Sequence, residues 1–174
     1  MASAELIVDG TNLAWAWPRT RTHLLRKAYG AAQRVLVEEA VRAQLQHRYR
    51  RVTFVFDGPP PDQGPTSQGW VRVLYPGPGQ SADQRIVELV ESGAAGGATT
   101  VATSDRGLKD LVRRHGAATV GGMVLLQELD PTLGRPARPR PAPAHDREKP
   151  SPSRADTDDW LQRFQEDELP SRDA

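Results

Sequence analysis

The chain has 174 residues, 37% of them hydrophobic, and a formal net charge of +1, which suits one ordinary domain with additional length. Its apolar runs fall far short of the roughly 20 residues that span a bilayer, and no basic and apolar leader precedes Leu6-Ile7-Val8, so we expect neither membrane insertion nor secretion. The absence of cysteine excludes disulfides and thiolate metal sites and is typical of a cytoplasmic protein.

The small net charge hides a segregation of charge along the chain. Residues 131–154 contain seven prolines with six basic and two acidic residues, whereas residues 155–174 contain seven acidic and two basic ones. We therefore predict a folded domain over 1–130, a flexible Pro/Arg-rich linker over 131–155 and a disordered acidic tail over 156–174. The spacing of Trp160, Leu161 and Phe164 allows a short amphipathic helix, which either docks on a protein partner or belongs to a merely solubilising tail.

Apolar runs alternate with amphipathic stretches through the first 130 residues. In chain order the pattern predicts a strand over 6–8, a long helix from about 22 to 47, and strands over 52–56 and 70–75. A helix over 82–93, a strand over 99–103, a helix over 104–116, a strand over 118–120 and a short helix around 124–126 follow. Apolar strands that alternate with helices predict an α/β fold, a three-layer α/β/α sandwich with a mainly parallel sheet.

Four aspartates fall where predicted strands end or where the next helices begin. Asp9, Asp57 and Asp105 follow the first, second and fourth strands, and Asp83 lies in the first turn of the helix after the third strand. Because the carboxyl ends of parallel strands share one edge of a sheet, we expect these side chains to meet there. Gathered carboxylates repel one another, and a divalent cation offsets that repulsion. With cysteine absent and the four histidines scattered, the expected ion is Mg²⁺ or Mn²⁺ held by oxygen.

The chemistry expected of such a site is metal-assisted hydrolysis of a phosphate ester. In the competing interpretation each aspartate only caps a helix or turn, since Asp is common there for local hydrogen-bonding reasons. Asn12 and Ser104 stand beside the acids, and each is either a supporting polar group or an ordinary turn or capping residue. Asp110 lies five residues beyond Asp105 and is expected to face solvent.

Basic and aromatic residues near the predicted acidic edge are candidates for substrate contact. Arginines that follow the first strand, or that directly follow an acid, are placed to hold a nucleic-acid backbone, although the latter pair equally suits solvent. Trp15 and Trp17 either stack on unpaired bases or anchor their loop on the core. The candidate arginines are Arg19, Arg21, Arg85 and Arg106.

Four short motifs, in order and with plausible spacing, resemble those of a known family. Val8-Asp9-Gly10-Thr11-Asn12 is similar to the VDGxN opening of NYN domains, a branch of the PIN-like nuclease superfamily. Segments 56–58, 81–86 and 102–105 resemble the later motifs of its YacP-like group, and the resemblance covers about residues 5–128.

This resemblance implies a PIN-like fold with Mg²⁺- or Mn²⁺-dependent endoribonuclease activity. It suggests messenger or ribosomal RNA as the substrate, with the ribosome as one setting. Two alternatives stay open, namely a catalytically inactive RNA- or ribosome-binding adaptor on the same fold and a small phosphoester hydrolase. The implied catalytic and metal-binding acids are Asp9, Asp57, Asp83 and Asp105, with Asn12 and Ser104 at the family's supporting polar positions.

Overall fold

The computed structural model describes residues 4–93 and 98–134, which all belong to one unit spanning residues 1–136. Of the predicted linker over 131–155, only 131–134 are described, and they form a 3₁₀ turn. The predicted acidic tail over 156–174, with its proposed helix around Trp160, Leu161 and Phe164, lies outside the described residues.

Five parallel strands form the centre of the fold. They are β1 (Glu5–Asp9), β2 (Arg51–Val55), β3 (Val71–Leu74), β4 (Thr99–Ala102) and β5 (Ala118–Val120), arranged in the order β3-β2-β1-β4-β5. The chain runs outward from β1 to β3 and then returns to the other side of β1 with β4. The direction of strand order therefore reverses between β1 and β4, which is the position where open α/β sheets bind their ligands.

Helices cover both faces of this sheet, which confirms the predicted three-layer sandwich. On one face Leu6, Val8 and Phe54 pack against α1 (Gly10–Ala16), α2 (Pro18–Leu25), α3 (Tyr29–Arg42) and α6 (Gly122–Leu129). On the other face Ile7 and Val55 pack against α4 (Ala82–Gly93) and α5 (Arg106–Arg114). Side chains alternate in direction along each strand, so these apolar runs supply both cores.

The long helix predicted from about 22 to 47 is wrong, because three separate elements occupy that region. Helix α2 begins earlier, with Pro18 as its first residue, and ends at Leu25. Lys27 then adopts a left-handed conformation (φ 59°), which no α-helix can continue through. A second left-handed residue, Gln44 (φ 55°), separates α3 from a 3₁₀ turn at Leu45–His47. The helical periodicity persists on both sides of Lys27, and Gly30 lies inside α3 three residues later, so the sequence does not mark Lys27 itself as the break.

Within the described ranges, no helix combines the length and the apolar character needed to cross a lipid bilayer.

Candidate active site

The four aspartates singled out by the sequence lie at the carboxyl edge of the sheet. Asp9 is the last residue of β1, and Asp57 lies two residues beyond β2. Asp105 lies three residues beyond β4 and caps α5, while Asp83 is the second residue of α4. Because β2, β1 and β4 are neighbours in the sheet, the chain positions that follow these strands lie side by side.

Asp9 is buried, with 6% of its surface exposed, and both of its carboxylate oxygens accept hydrogen bonds. The backbone N–H of Asn12 donates to Oδ1 at 3.1 Å, and the Thr103 hydroxyl donates to Oδ2 at 2.8 Å. Burial nevertheless raises the pKa of Asp9 to about 6, and the negative charges of Asp83 and Asp57 add to the rise. The side chain of Asp9 is therefore held in place, but its ionised form is still less stable than that of a carboxyl group in water.

Thr103 is a site residue that the sequence analysis missed. It is fully buried, and while its hydroxyl donates to Asp9 it also accepts the backbone N–H of Asp105 at 3.1 Å. Beside it, the side-chain oxygen of Asn12 accepts the backbone N–H of Ser104 at 3.2 Å. Two hydrogen-bonded links therefore tie the end of β1 to the segment after β4. Thr103 resembled the last residue of a β-branched strand, and its only signal was its place inside the 102–105 motif.

Local helix capping, the competing interpretation, describes Asp9 and Asp105, whereas Asp57 binds the start of a helix that lies 25 residues further along the chain. Asp9 caps α1 through Asn12, and Asp105 caps α5 by accepting the Leu108 N–H at 2.8 Å. Asp57 accepts the N–H of Ala82, the first residue of α4, at 3.0 Å. The N-termini of three helices therefore point toward the same acidic edge, and their partial positive charges favour anions there.

Asp83 differs from the other three because it accepts no hydrogen bond from the described residues. Its side chain is exposed, yet its pKa is raised by partial desolvation and by the negative charges of Asp105 and Asp57. The acids are thus close enough to affect one another's ionisation, although they come from four separate segments of the chain. Asp83 makes no capping hydrogen bond with the described residues, and its place in the first turn of α4 gives it a favourable interaction with the helix dipole.

The donor set at this edge fits a hard divalent cation, although it is not a closed cage. In residues 4–93 and 98–134, no three His, Asp or Glu side chains are grouped tightly enough to hold one ion between them. Mg²⁺ typically takes only one or two carboxylates and fills its remaining positions with water and phosphate oxygens. Desolvation is the main cause of the raised pKa values of Asp9 and Asp83, neighbouring carboxylates raise them further, and such a cation would stabilise both ionised groups.

The two tryptophans that the sequence could not distinguish have different environments. Trp17 is buried at 1% exposure, and its indole N–H donates to Asp130 at 3.3 Å, so it anchors the start of α2 on the core. Trp15 is 45% exposed and remains available to a ligand. Arg19 packs over the Trp17 ring at 5.5 Å and pairs with Glu39 at 2.7 Å, so its guanidinium already has a partner.

The other candidate arginines also fall into two groups. Arg85 pairs with Glu88 one turn along α4, at 3.0 Å. Arg21 and Arg106 are exposed and form no ion pair with any residue that the structure describes. Arg106 begins α5 directly after Asp105, so it is the basic residue nearest in sequence to the acids.

The fold agrees with the matches to known proteins. A family model described as the YacP-like NYN domain matches residues 6–166. The chain belongs to the YacP-like NYN family. The match extends beyond residue 128, where the resemblance carried by the four motifs ended. No curated protein sequence matches this chain.

Two solved structures from Bacillus subtilis are similar to this YacP-like NYN domain. The crystal structure of a mutant form of Rae1 (YacP) shares 28% sequence identity with a TM-score of 0.59, covering 77% of each chain. The crystal structure of Rae1 (YacP) itself shares 26% identity with a TM-score of 0.60, covering 74% of each chain. Both similarities support the nuclease-like α/β fold of the family.

Metal-free protein should lose stability as the pH rises from about 4 to about 6. The folded state binds a proton at Asp9 with a pKa of about 6, whereas the ordinary value is 3.8. Between these values the folded chain holds a proton that the unfolded chain has released, so each rise in pH favours unfolding. For this group the total loss is on the order of 3 kcal/mol. Urea unfolding in chelator at a series of pH values measures it.

Asp9→Asn protein is the matched control, because it has no ionisable group at that position. The free energy of unfolding of the variant, relative to the unsubstituted protein, should increase through this pH window and level off above it. A difference that is the same at every pH would contradict the buried, proton-holding role assigned to Asp9.

Substitution of Thr103 by valine should destabilise the protein by about 1–3 kcal/mol, because a buried carboxylate oxygen loses its donor and the Asp105 N–H loses its acceptor. Thr103→Ser keeps the hydroxyl and should recover most of the loss. Urea unfolding of both variants tests this. If Thr103→Val is as stable as the unsubstituted protein and Thr103→Ser is the less stable variant, the role of Thr103 is packing of its methyl group and not hydrogen bonding.

Proposed function

We propose that this protein is a metal-dependent endoribonuclease that hydrolyses RNA phosphodiester bonds at the acidic edge of its sheet. Membership of the YacP-like NYN family supports a nuclease-like activity. The observation that carries the proposal is Asp83, a carboxylate with no hydrogen-bonding role among the described residues, beside the charges of Asp105 and Asp57. This charge arrangement is unfavourable by itself, and a bound cation relieves it.

In the proposed site, one or two of the acids Asp9, Asp57, Asp83 and Asp105 would hold Mg²⁺ or Mn²⁺ directly, and the others would bind it through water. When bound, the ion supplies an activated water and neutralises charge on the phosphodiester. The exposed N-termini of α4 and α5 favour phosphate oxygens at the same edge. Asn12 and Ser104, joined by their 3.2 Å hydrogen bond, keep β1 and the segment after β4 in register.

The proposed RNA backbone, whether messenger or ribosomal, is held beside the acids by the unpaired arginines. Arg21 and Arg106 are exposed and form no ion pair with the described residues. Arg19 and Arg85 are paired with Glu39 and Glu88, and these ion pairs must break before either arginine can bind a phosphate. Phosphate contacts of this kind supply affinity that is independent of base sequence and falls as salt is raised.

Asp83→Asn should abolish most activity without harming the fold. The substitution removes a charge that its neighbours repel and breaks no described hydrogen bond, so the free energy of unfolding should stay unchanged or rise slightly. Cleavage of unstructured RNA should fall by roughly 10²-fold or more, the scale for losing one electrostatic group in a site. Calorimetric titration with Mn²⁺ should show weaker binding than in the unsubstituted protein.

Asp110→Asn is the matched control, because Asp110 is an exposed acid on α5 whose one ion pair among the described residues is with Arg113. It should bind Mn²⁺ and cleave RNA normally. Cleavage that survives chelator, or that is equal in the Asp83 and Asp110 variants, would overturn the proposed mechanism. RNA binding without cleavage under every metal condition would instead favour an inactive adaptor on this fold, and cleavage of small phosphoesters alone would favour a phosphoester hydrolase.

A further inference from the structure

An apolar cleft of about 450 Å³ opens directly beside the acidic edge. Two of its lining residues also belong to that edge. Asp57 is one of the four acids, and the Thr11 hydroxyl accepts the Asp57 backbone N–H at 2.8 Å. Any molecule that fills the cleft is therefore in contact with the candidate active site. The rest of the lining comes from α1, the α2–α3 region and the loop after β2.

The walls of the cleft present flat, accessible ring surfaces. Trp15 and Tyr29 line it from α1 and α3, with 45% and 50% of their surfaces exposed. Phe56 lies deeper and is buried, and its ring packs near Tyr75 at a centroid distance of 6.2 Å. Three consecutive prolines, 59–61, line the cleft as well. Surfaces of this kind suit a planar ring that stacks between them.

A polar group with unused hydrogen-bonding capacity lies in the same lining. Gln33 on α3 is only 6% exposed, and its side-chain oxygen accepts the Tyr75 hydroxyl at 2.7 Å. Its amide nitrogen donates to no residue that the structure describes. Every buried side-chain nitrogen or oxygen of the described residues has a hydrogen-bond partner, so this amide nitrogen is open to solvent and not buried. Gln33 therefore offers a fixed donor to a carbonyl group on the edge of a planar ligand.

We propose that this cleft binds one unpaired base of the RNA substrate and thereby places the neighbouring phosphodiester at the acids. The inference rests on the proposed function and deepens it, because it assigns a base-binding subsite and a single-stranded substrate. A nucleobase combines a flat apolar face for Trp15 and Tyr29 with hydrogen-bond acceptors on its edge, carbonyl oxygens or ring nitrogens, for the Gln33 amide. An apolar peptide would match the walls but gains nothing from adjacency to clustered acids and phosphate-favouring helix N-termini.

Abasic substitutions in RNA test the subsite directly. An unstructured RNA of about ten nucleotides is made as a series, each member lacking one base at a different position. Affinity is measured by fluorescence anisotropy in chelator, where the proposed chemistry cannot proceed. For the unsubstituted protein, loss of the base should weaken binding at one position by roughly 5- to 150-fold and much less elsewhere.

Trp15→Ala supplies the second arm of the experiment. It should weaken binding of the intact RNA by a similar factor. Removal of the base should then cause no further loss of affinity at the position that was sensitive in the unsubstituted protein, because the base and the ring no longer interact. Trp15→Phe retains a ring and should keep most of the penalty. Leu111→Ala, which truncates another exposed apolar residue on the opposite helical layer, should behave like the unsubstituted protein.

The outcomes separate this inference from the proposed function. If removal of one base weakens binding at a single position but RNA is never cleaved, the base subsite is supported and the nuclease proposal is rejected. If RNA is cleaved with Mn²⁺ but every abasic RNA binds equally well, the nuclease proposal is supported and the base subsite is rejected. Unchanged affinity of Trp15→Ala for every RNA would also overturn the subsite and assign the cleft to a different kind of occupant, such as an apolar peptide.

Discussion

The negative charge of Asp9 is the constraint around which this edge of the fold is organised. Its side chain is withdrawn from water at the point where strand order reverses, between β1 and β4. Donors from two different segments, the Asn12 N–H and the Thr103 hydroxyl, occupy both oxygens. Its pKa is still raised to about 6, so these hydrogen bonds do not offset burial and the nearby acids. Such a cost at one edge of a sheet is typical of a functional site.

The aspartates of this edge combine a structural and a chemical role. Asp57 and Asp105 each use one oxygen to receive a backbone N–H at the start of a helix, which fixes where α4 and α5 begin. The same geometry brings their charges toward Asp83, which has no such structural role. Thr11 lines the aromatic cleft, and its hydroxyl accepts the backbone N–H of Asp57. The contacts that fix the starts of these helices therefore also bring the acids together.

Local sequence determined the order of strands and helices, and with it the set of acids that share one edge. A short apolar run bounded by turn residues is a property of chain neighbours alone, so the five strands were predicted close to their observed bounds. Because parallel strands end at a common edge, the positions of Asp9, Asp57 and Asp105 followed from those bounds. The four ordered motifs were sufficient to indicate the family that the match over residues 6–166 shows.

Tertiary structure alone decided which side chains face the core, the cleft or one another. Trp15 and Trp17 stand two residues apart in similar surroundings, and only the packing of α1 and α2 buries one while exposing the other. The break at Lys27 depends on a left-handed conformation at a residue that is neither Gly nor Asn. Thr103 reaches Asp9 across 94 residues of chain. Hydrogen bonds between distant residues leave no periodic trace in a sequence, whereas burial of an apolar face does.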